Sequence, residues 1–378
     1  MKKFKSAIIL SVSLLLLAST AIGAAWTTKR ITNNDGISQY PAVAASGDNV
    51  YAAWQDYTPG NWEVYFRRST DGGATWKTEK RITNNAGGSQ SPAIAVSGAN
   101  VYLVWYDYTP GAAEIYFRRS IDNGATWENA KRLTNNAGQS TLPRVVASGD
   151  NVYVTWQDTT PGNWETYFRR STDNGATWKS AKRITNTAAD SLNPDIAVDG
   201  GNVYLAWYEG DVGSRQIHFC QSSNWGATWG AAQPLTLDAY DSTYPHIAAA
   251  AGSAVYLAFR SDADGDDNVF FTTSANNGGS WSSPTQLTDN SGFSYPSGIA
   301  AKNAKVYVAW YDNTTGDNDV YCRKSADSGS TWNAAQRLTN NAGVSEYPDI
   351  WLGDTDVYVA YDDDTPGNRE IYLKFKPH

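Results

Sequence analysis

The chain reads as an all-β protein, a seven-bladed β-propeller of four-stranded antiparallel blades. Three observations predict this. One eight-residue phrase occurs six times at a nearly fixed interval. Aromatic residues make up 13% of the chain, with 16 Trp, 23 Tyr and only one Met. A single strand-like segment is left over at the beginning, and one is missing at the end. A fixed period of this length marks a repeat architecture, and heavy aromatic use favours strands over helices.

The repeated phrase is Ser69-Thr-Asp71-Gly-Gly73-Ala-Thr-Trp76, and it recurs at 120–127, 171–178, 222–229, 274–281 and 325–332. The Trp residues at 76, 127, 178 and 229 stand 51 apart, and the next two steps are 52 and 51. After each Trp comes a short alternating segment such as Lys80-Arg81-Ile82-Thr83, read as a strand. An Asn/Gly loop then leads to a proline at 41, 92, 143, 194, 245, 296 or 348, placed as the first residue of the next strand. Small residues follow, as in Ala42-Val43-Ala44-Ala45, then a tight turn and a strand such as Val50-Tyr51-Ala52-Ala53-Trp54. A Pro-Gly turn leads into Glu63-Val64-Tyr65-Phe66-Arg67-Arg68, which runs into the next phrase.

We label these strands a to d from the proline onward. Strands a, b and c occur seven times, but the seventh set has no strand d, and the spare strand is the N-terminal segment 27–32. Closing the ring with that segment resolves both anomalies and removes open sheet edges. A linear solenoid is the alternative, but it needs capping repeats. Small residues put strand a at the crowded centre, and Tyr, Phe and Arg put strand c towards the rim. An antiparallel meander then places the a–b and c–d turns on one face and the b–c and d–a loops on the other.

Residues 1–25 read as a cleaved signal peptide, with residues 26–378 as the propeller. Lys2, Lys3 and Lys5 precede an apolar run at 7–18 and a small-residue zone ending at Ala25. That run is short of the roughly 20 residues a membrane span needs. The expectation is a secreted or periplasmic protein without membrane insertion, acting as a monomer. Losing three lysines takes the formal charge from −8 to −11, which argues against nucleic acid as a partner. Cys220 and Cys322 lie two blades apart and are expected to be buried thiols rather than a disulfide.

The repeated turn resembles the Asp-box of the sialidase-like propeller superfamily (BNR repeat), over residues 26–378. Members of that superfamily include sialidases, xyloglucanases, lectins and assembly or receptor propellers, so the fold leaves function open. The box residues Asp71, Asp122, Asp173, Asn224, Asn276 and Asp327 read as structural, each side chain accepting hydrogen bonds within its own turn. The resemblance implies that a sialidase would show three carboxylate-binding Arg, a Tyr nucleophile with a Glu partner, and an Asp acid/base. Its first Arg lies in an Arg-Ile/Leu-Pro motif. Here Arg30-Ile31-Thr32 lacks the proline and recurs at Arg81, Arg132, Arg183 and Arg337, which reads as strand d structure. Arg67/Arg68, Arg118/Arg119 and Arg169/Arg170 repeat in the same way and are expected to pair with acids or stack on aromatics.

Positions that break the repeat are the better site candidates. The residue after the strand a proline is Ala42, Ala93, Arg144, Asp195, His246, Ser297 or Asp349. Arg144, Asp195, His246 and Asp349, joined by Arg260, form a candidate axial site for acid/base chemistry or an anionic ligand. The plain alternative is an ion pair between neighbouring blades. Trp62 and Trp164, with Asp56, Asn61, Asp158 and Asn163, form candidate glycan-binding loops, an apolar face beside polar partners. Asp262, Asp264 and Asp266 alternate as ligands for a hard cation such as Ca²⁺ would, although no cofactor is required. Trp351 replaces a small residue in strand a and reads as packing in the closing blade. The function expected is binding, of glycans or cell-surface partners. A single-site exo-glycosidase and a non-catalytic envelope scaffold are the alternatives.

Overall fold

The computed structural model describes residues 25–236 and 240–378, so most of the proposed leader lies outside the described residues. The described residues form seven four-stranded antiparallel sheets. Blade one comprises strand a (Ser38–Ser46), b (Asn49–Asp56), c (Glu63–Ser69) and d (Lys80–Arg81). Blades two to six repeat this order. Blade seven has Ser345–Leu352, Asp356–Asp363 and Glu370–Pro377, and its fourth strand is the N-terminal Thr27–Arg30. Thr27 pairs with Phe375 and Arg30 with Tyr372, so the ring closes as the leftover segment suggested. Among the described residues no helix is long and apolar enough to cross a membrane.

Seven apolar clusters fill the seven gaps between blades. The cluster between blades one and two joins Ala42, Ala44, Tyr51 and Phe66 to Ile94, Leu103 and Trp105. The strand b indoles of Trp54, Trp105, Trp156, Trp207 and Trp310 are wholly buried. Each such side chain removes on the order of 150–250 Å² from water, which is how short strands build a sufficient core.

Strand a differs from expectation in one respect. The proline sits inside the strand rather than at its start, at a break in register between, in blade one, Gln39↔Gln55 and Ala42↔Ala53. The residue before it takes a left-handed conformation in six blades, with φ near 50° at Tyr40, Ser91, Leu142, Asn193, Tyr244 and Tyr347. Such a bulge re-aims side chains, and strand a can accommodate a proline because its inner edge has no strand partner. Blade six is the exception. Pro296 pairs with Trp310 and Gly298 with Ala309, so Gly298, not Ser297, is equivalent to Asp195 and Asp349. That position takes a glycine because a Cβ there would lie 2.9 Å from Ile350 Cγ2 of blade seven.

The repeated turn is self-contained and also reaches the preceding blade. Asp71 Oδ1 accepts hydrogen bonds from Ser69 Oγ at 2.7 Å and Thr75 N at 2.8 Å. The Thr75 hydroxyl bond, then those from Ser69 and the Thr75 amide, hold this carboxyl down at about 2. Asn224 and Asn276 keep the amide bond through Oδ1, at 2.8 Å to Thr228 N and Ser280 N. The box Trp127 meets Phe66 of the preceding blade edge-on at 4.9 Å, and Trp178, Trp229, Trp281 and Trp332 repeat the contact.

The repeated arginines serve the same interfaces. Arg68 donates to Asn123 O of the next blade at 2.9 Å, and Arg67 to Ile31 O and Lys77 O. They therefore tie blade to blade mainly through carbonyls, and of the acid pairs or aromatic stacking expected only Arg119 shows one among the described residues, pairing with Glu128 at 2.9 Å. Among the strand d arginines, Arg81 pairs with the buried Glu63 at 2.9 Å, and Arg30, Arg132, Arg183 and Arg337 have matching partners. Cys220 and Cys322 are buried free thiols, as expected.

Candidate functional site

The innermost strands enclose a central channel of about 660 Å³, lined by strand a residues of all seven blades. Arg144, Asp195, His246 and Asp349 all line it. Asp195 lies between its neighbours, with Oδ1 3.8 Å from Arg144 Nε and Oδ2 3.6 Å from His246 Nδ1. Its oxygens also accept the amides of Ile196 at 2.9 Å and Ile247 at 3.0 Å, the latter in the next blade. Asp349 does likewise, accepting Val43 N of blade one at 2.7 Å. Both carboxylates thus satisfy a backbone donor on the unpaired inner edge of the neighbouring blade.

Their protonation differs. Burial pushes Asp349 up to about 6, against the pull of the Val43 amide and Arg144. Asp195 is held below the ordinary range because His246 and Arg144 together outweigh its burial.

Arg260 does not join this cluster. It pairs with Asp267, donates to Thr243 Oγ1 at 3.2 Å and lies over the Tyr295 ring at 5.4 Å. That contact belongs to a feature not foreseen from the sequence, a run of tyrosines at the channel mouth, five lining the channel and the buried Tyr208 behind them. Tyr208, Tyr244, Tyr295, Tyr311, Tyr347 and Tyr40 run through blades four to seven and on to one. Successive ring centroids are 5.9, 5.9, 5.4, 5.5 and 4.4 Å apart. All six come from three repeat positions: the left-handed residue before the strand a proline (Tyr40, Tyr244, Tyr347), the residue preceding that one (Tyr295) and the residue after the strand b indole (Tyr208, Tyr311). Comparing those columns across the repeats would have exposed the belt.

Behind it lies a second buried polar group. Arg369 bridges Glu346 at 2.7 Å and Asp362 at 2.9 Å, and Asp362 also accepts Tyr40 N at 3.3 Å. Burial raises Asp362 to about 8 despite Arg369.

The mouth opens on the face of the b–c and d–a loops. Most of the large apolar side chains left exposed among the described residues lie there: Ile37, Tyr57, Tyr108, Val212, Tyr240, Tyr244 and Phe293. The other loop candidates fare differently. Asp56 and Asp158 are buried, each accepting from Ser, Asn and Trp side chains and a Thr amide, as Asp56 does from Ser38, Asn34, Trp54 and Thr58. Asn61 and Asn163 fasten neighbouring loops through Gly87 O and Ala189 O. Trp62 and Trp164 are half-buried on the same face, Trp62 edge-on to Tyr57 at 5.1 Å.

No group of three His, Cys, Asp or Glu suited to a metal ion occurs among the described residues. Asp264 bonds Asn268 and Gln286, Asp262 accepts Asp241 N at 2.8 Å, and Asp266 is exposed.

A channelled ring of seven blades, stapled by Asp-box turns, defines a propeller of the kind built on BNR repeats. Residues 63–308 match the model of the BNR repeat-like domain, well over half of the chain, and the protein belongs to that family. Its fold is similar to that of an ulvan lyase of a polysaccharide lyase family, with a TM-score of 0.64 and 12% identity, covering 90% of this chain and 94% of that one. It is also similar to the sialidase of Trypanosoma rangeli in complex with sialic acid, with a TM-score of 0.56 and 12% identity, covering 92% and 58%. An α-L-arabinofuranosidase from Fusarium graminearum shares the fold at a TM-score of 0.51 and 12% identity, over 90% and 93%. No curated protein matches by sequence.

Proposed function

We propose that this is an exported glycan-binding propeller that takes a saccharide at its tyrosine-rimmed channel mouth. The observation that carries the reading is the continuous belt of six tyrosines, beside the guanidinium groups of Arg260 and Arg215. Sugar rings present apolar C–H faces to aromatic planes and hydroxyls to polar neighbours, and a mouth built this way offers both. The folds of a lyase, a sialidase and an arabinofuranosidase, all named for acting on glycans, are consistent with such a ligand. Export rests on the leader-like residues 1–25.

Binding is favoured over hydrolysis by what the axial carboxylates already do. Asp195 and Asp349 each use an oxygen on the next blade's backbone. The site is also single and axial rather than repeated, because the loop residues Asp56, Asn61, Asp158 and Asn163 belong to the scaffold.

A glycan array with wild type and Tyr244→Ala tests the reading, since Tyr244 is 37% exposed and its loss spares the core. Retention of the best glycan is expected to fall about tenfold. An array without any retained glycan would sink the proposal. Turnover of a fluorogenic glycoside panel, abolished in Asp349→Ala, would replace it with the glycosidase reading.

A further inference from the structure

We infer that the channel interior holds a second site, deeper than the tyrosine belt, for a small carboxylate that carries a ring. Its basis is a break in the repeat at two successive layers of the innermost strand. In the outer layer the seven equivalent positions are Ala42, Ala93, Arg144, Asp195, His246, Gly298 and Asp349. Two residues further in they are Ala44, Ala95, Val146, Ala197, Ala248, Ala300 and Trp351. Six blades thus keep the inner layer small, and one places an indole there.

Trp351 lines the channel and packs against the clusters on both sides of blade one, and Ala44 beneath it is wholly buried. The sequence reading assigned Trp351 to packing in the closing blade, and packing accounts for one face of the ring. The indole also borders the cavity. In a ring of seven, blades seven and one stand across the axis from blades three to five. The indole therefore lies on the wall opposite Arg144, Asp195 and His246, one layer deeper.

The groups on that polar arc are unequally occupied. Asp195 and Asp349 are held by backbone amides of the next blade. The Arg144 guanidinium, with 38% of the side chain exposed, makes no protein hydrogen bond among the described residues and meets Asp195 only at 3.8 Å. His246 turns Nδ1 towards Asp195 at 3.6 Å, and its Nε2 has no protein partner among the described residues. A guanidinium fork binds a carboxylate through two parallel N–H groups, and an indole face takes a ring. The small residues of blades one, two and six leave the intervening space open. At about 660 Å³ the channel falls within the range of about 300–1,000 Å³ typical of small-ligand sites.

Calorimetric titration separates the contributions. Benzoate and glucuronate supply ring and charge, benzyl alcohol and glucose the ring alone, and acetate the charge alone. At least one ring-bearing carboxylate is expected to bind ten times more tightly than its uncharged counterpart and than acetate. Arg144→Gln and Trp351→Ala should each weaken it at least tenfold, while Tyr244→Ala at the mouth changes it less than twofold. Arg144→Gln keeps the test decisive if Trp351→Ala fails to fold, because Arg144 is anchored to nothing in the core. Equal affinity for the uncharged ring, no measurable binding of either carboxylate, or unchanged affinity in Arg144→Gln would overturn the inference. Loss of glycan retention with carboxylate binding intact would count against the mouth reading alone.

Discussion

Replacing Gly175 by alanine tests whether the Asp-box joins neighbouring blades or only its own strands. Gly175 has φ +79°, and a Cβ there would lie 2.4 Å from Phe117 Cζ and 2.8 Å from its Cε1, both on the preceding blade. Two costs combine. The left-handed backbone costs a residue with a Cβ roughly 1–2 kcal/mol, and forcing an extra methyl into a packed contact costs about 1–3 kcal/mol more. Gly98 is the matched control, since its φ is +59° and nothing lies within 4 Å of a Cβ there. Gly98→Ala should therefore lose only the backbone share. The gap of about 1–3 kcal/mol between the variants, read from equilibrium urea denaturation, measures the interface. A double-mutant cycle sharpens it: in a Phe117→Ala background, Gly175→Ala should cost no more than Gly98→Ala, since contacting residues are non-additive. Equal costs for the two single variants, or strict additivity with Phe117, would show that the turn does not staple blades together.

Three further outcomes are expected. The Asp71 carboxyl sits below its ordinary value when folded, so its contribution is full above about pH 4 and is lost as pH falls towards 2. Asp71→Asn should consequently be less stable than wild type at pH 7, with the difference vanishing near pH 2 in acid-unfolding curves; parallel curves would refute the assignment. Asp362 is displaced the other way, to about 8, so folding binds its proton and stability falls as pH rises from about 4 through 8. Asp362→Asn should flatten the decline in melting temperature between pH 5 and 9, and an unchanged slope would contradict the burial argument. Deleting residues 26–30 removes the strand that covers Glu370–Pro377 and the Arg30–Glu370 pair at 2.8 Å. The exposed edge should drive dimers or aggregates in size-exclusion chromatography, and a synthetic peptide of residues 26–32 should suppress them. A monomer of unchanged stability would show that closure lies elsewhere.

The ring, its blade count and its closure were legible because they follow from period and from one leftover strand, which need no side-chain geometry. The site was legible only in part. Arg144, Asp195, His246 and Asp349 stood out as breaks in one repeat column, and the channel does bring them together. The column itself slipped by one at Ser297, because Pro296 occupies the position that other blades give to a left-handed residue. Asp56 and Asp158 looked like loop acids, yet they are buried acceptors for a serine, an asparagine and an indole, a role that sequence spacing does not reveal. The tyrosine belt escaped notice because its members are split between strands a and b, in different repeat columns, and meet only across blades.

The staple between blades has a direction. Every box Trp from 127 to 332 reaches back to the aromatic ring of the blade before it, and Arg68, Arg119 and Arg170 of blades one to three reach forward to the next turn. The joints are therefore head-to-tail, and each 51-residue unit carries both halves of the joint it needs. Duplicating a unit in the gene supplies a new interface complete, without any compensating change in its neighbours. The number of blades is then set by the curvature at which the last joint meets the first, and here the first box, at Trp76, packs against Leu373 and Phe375 of the final blade.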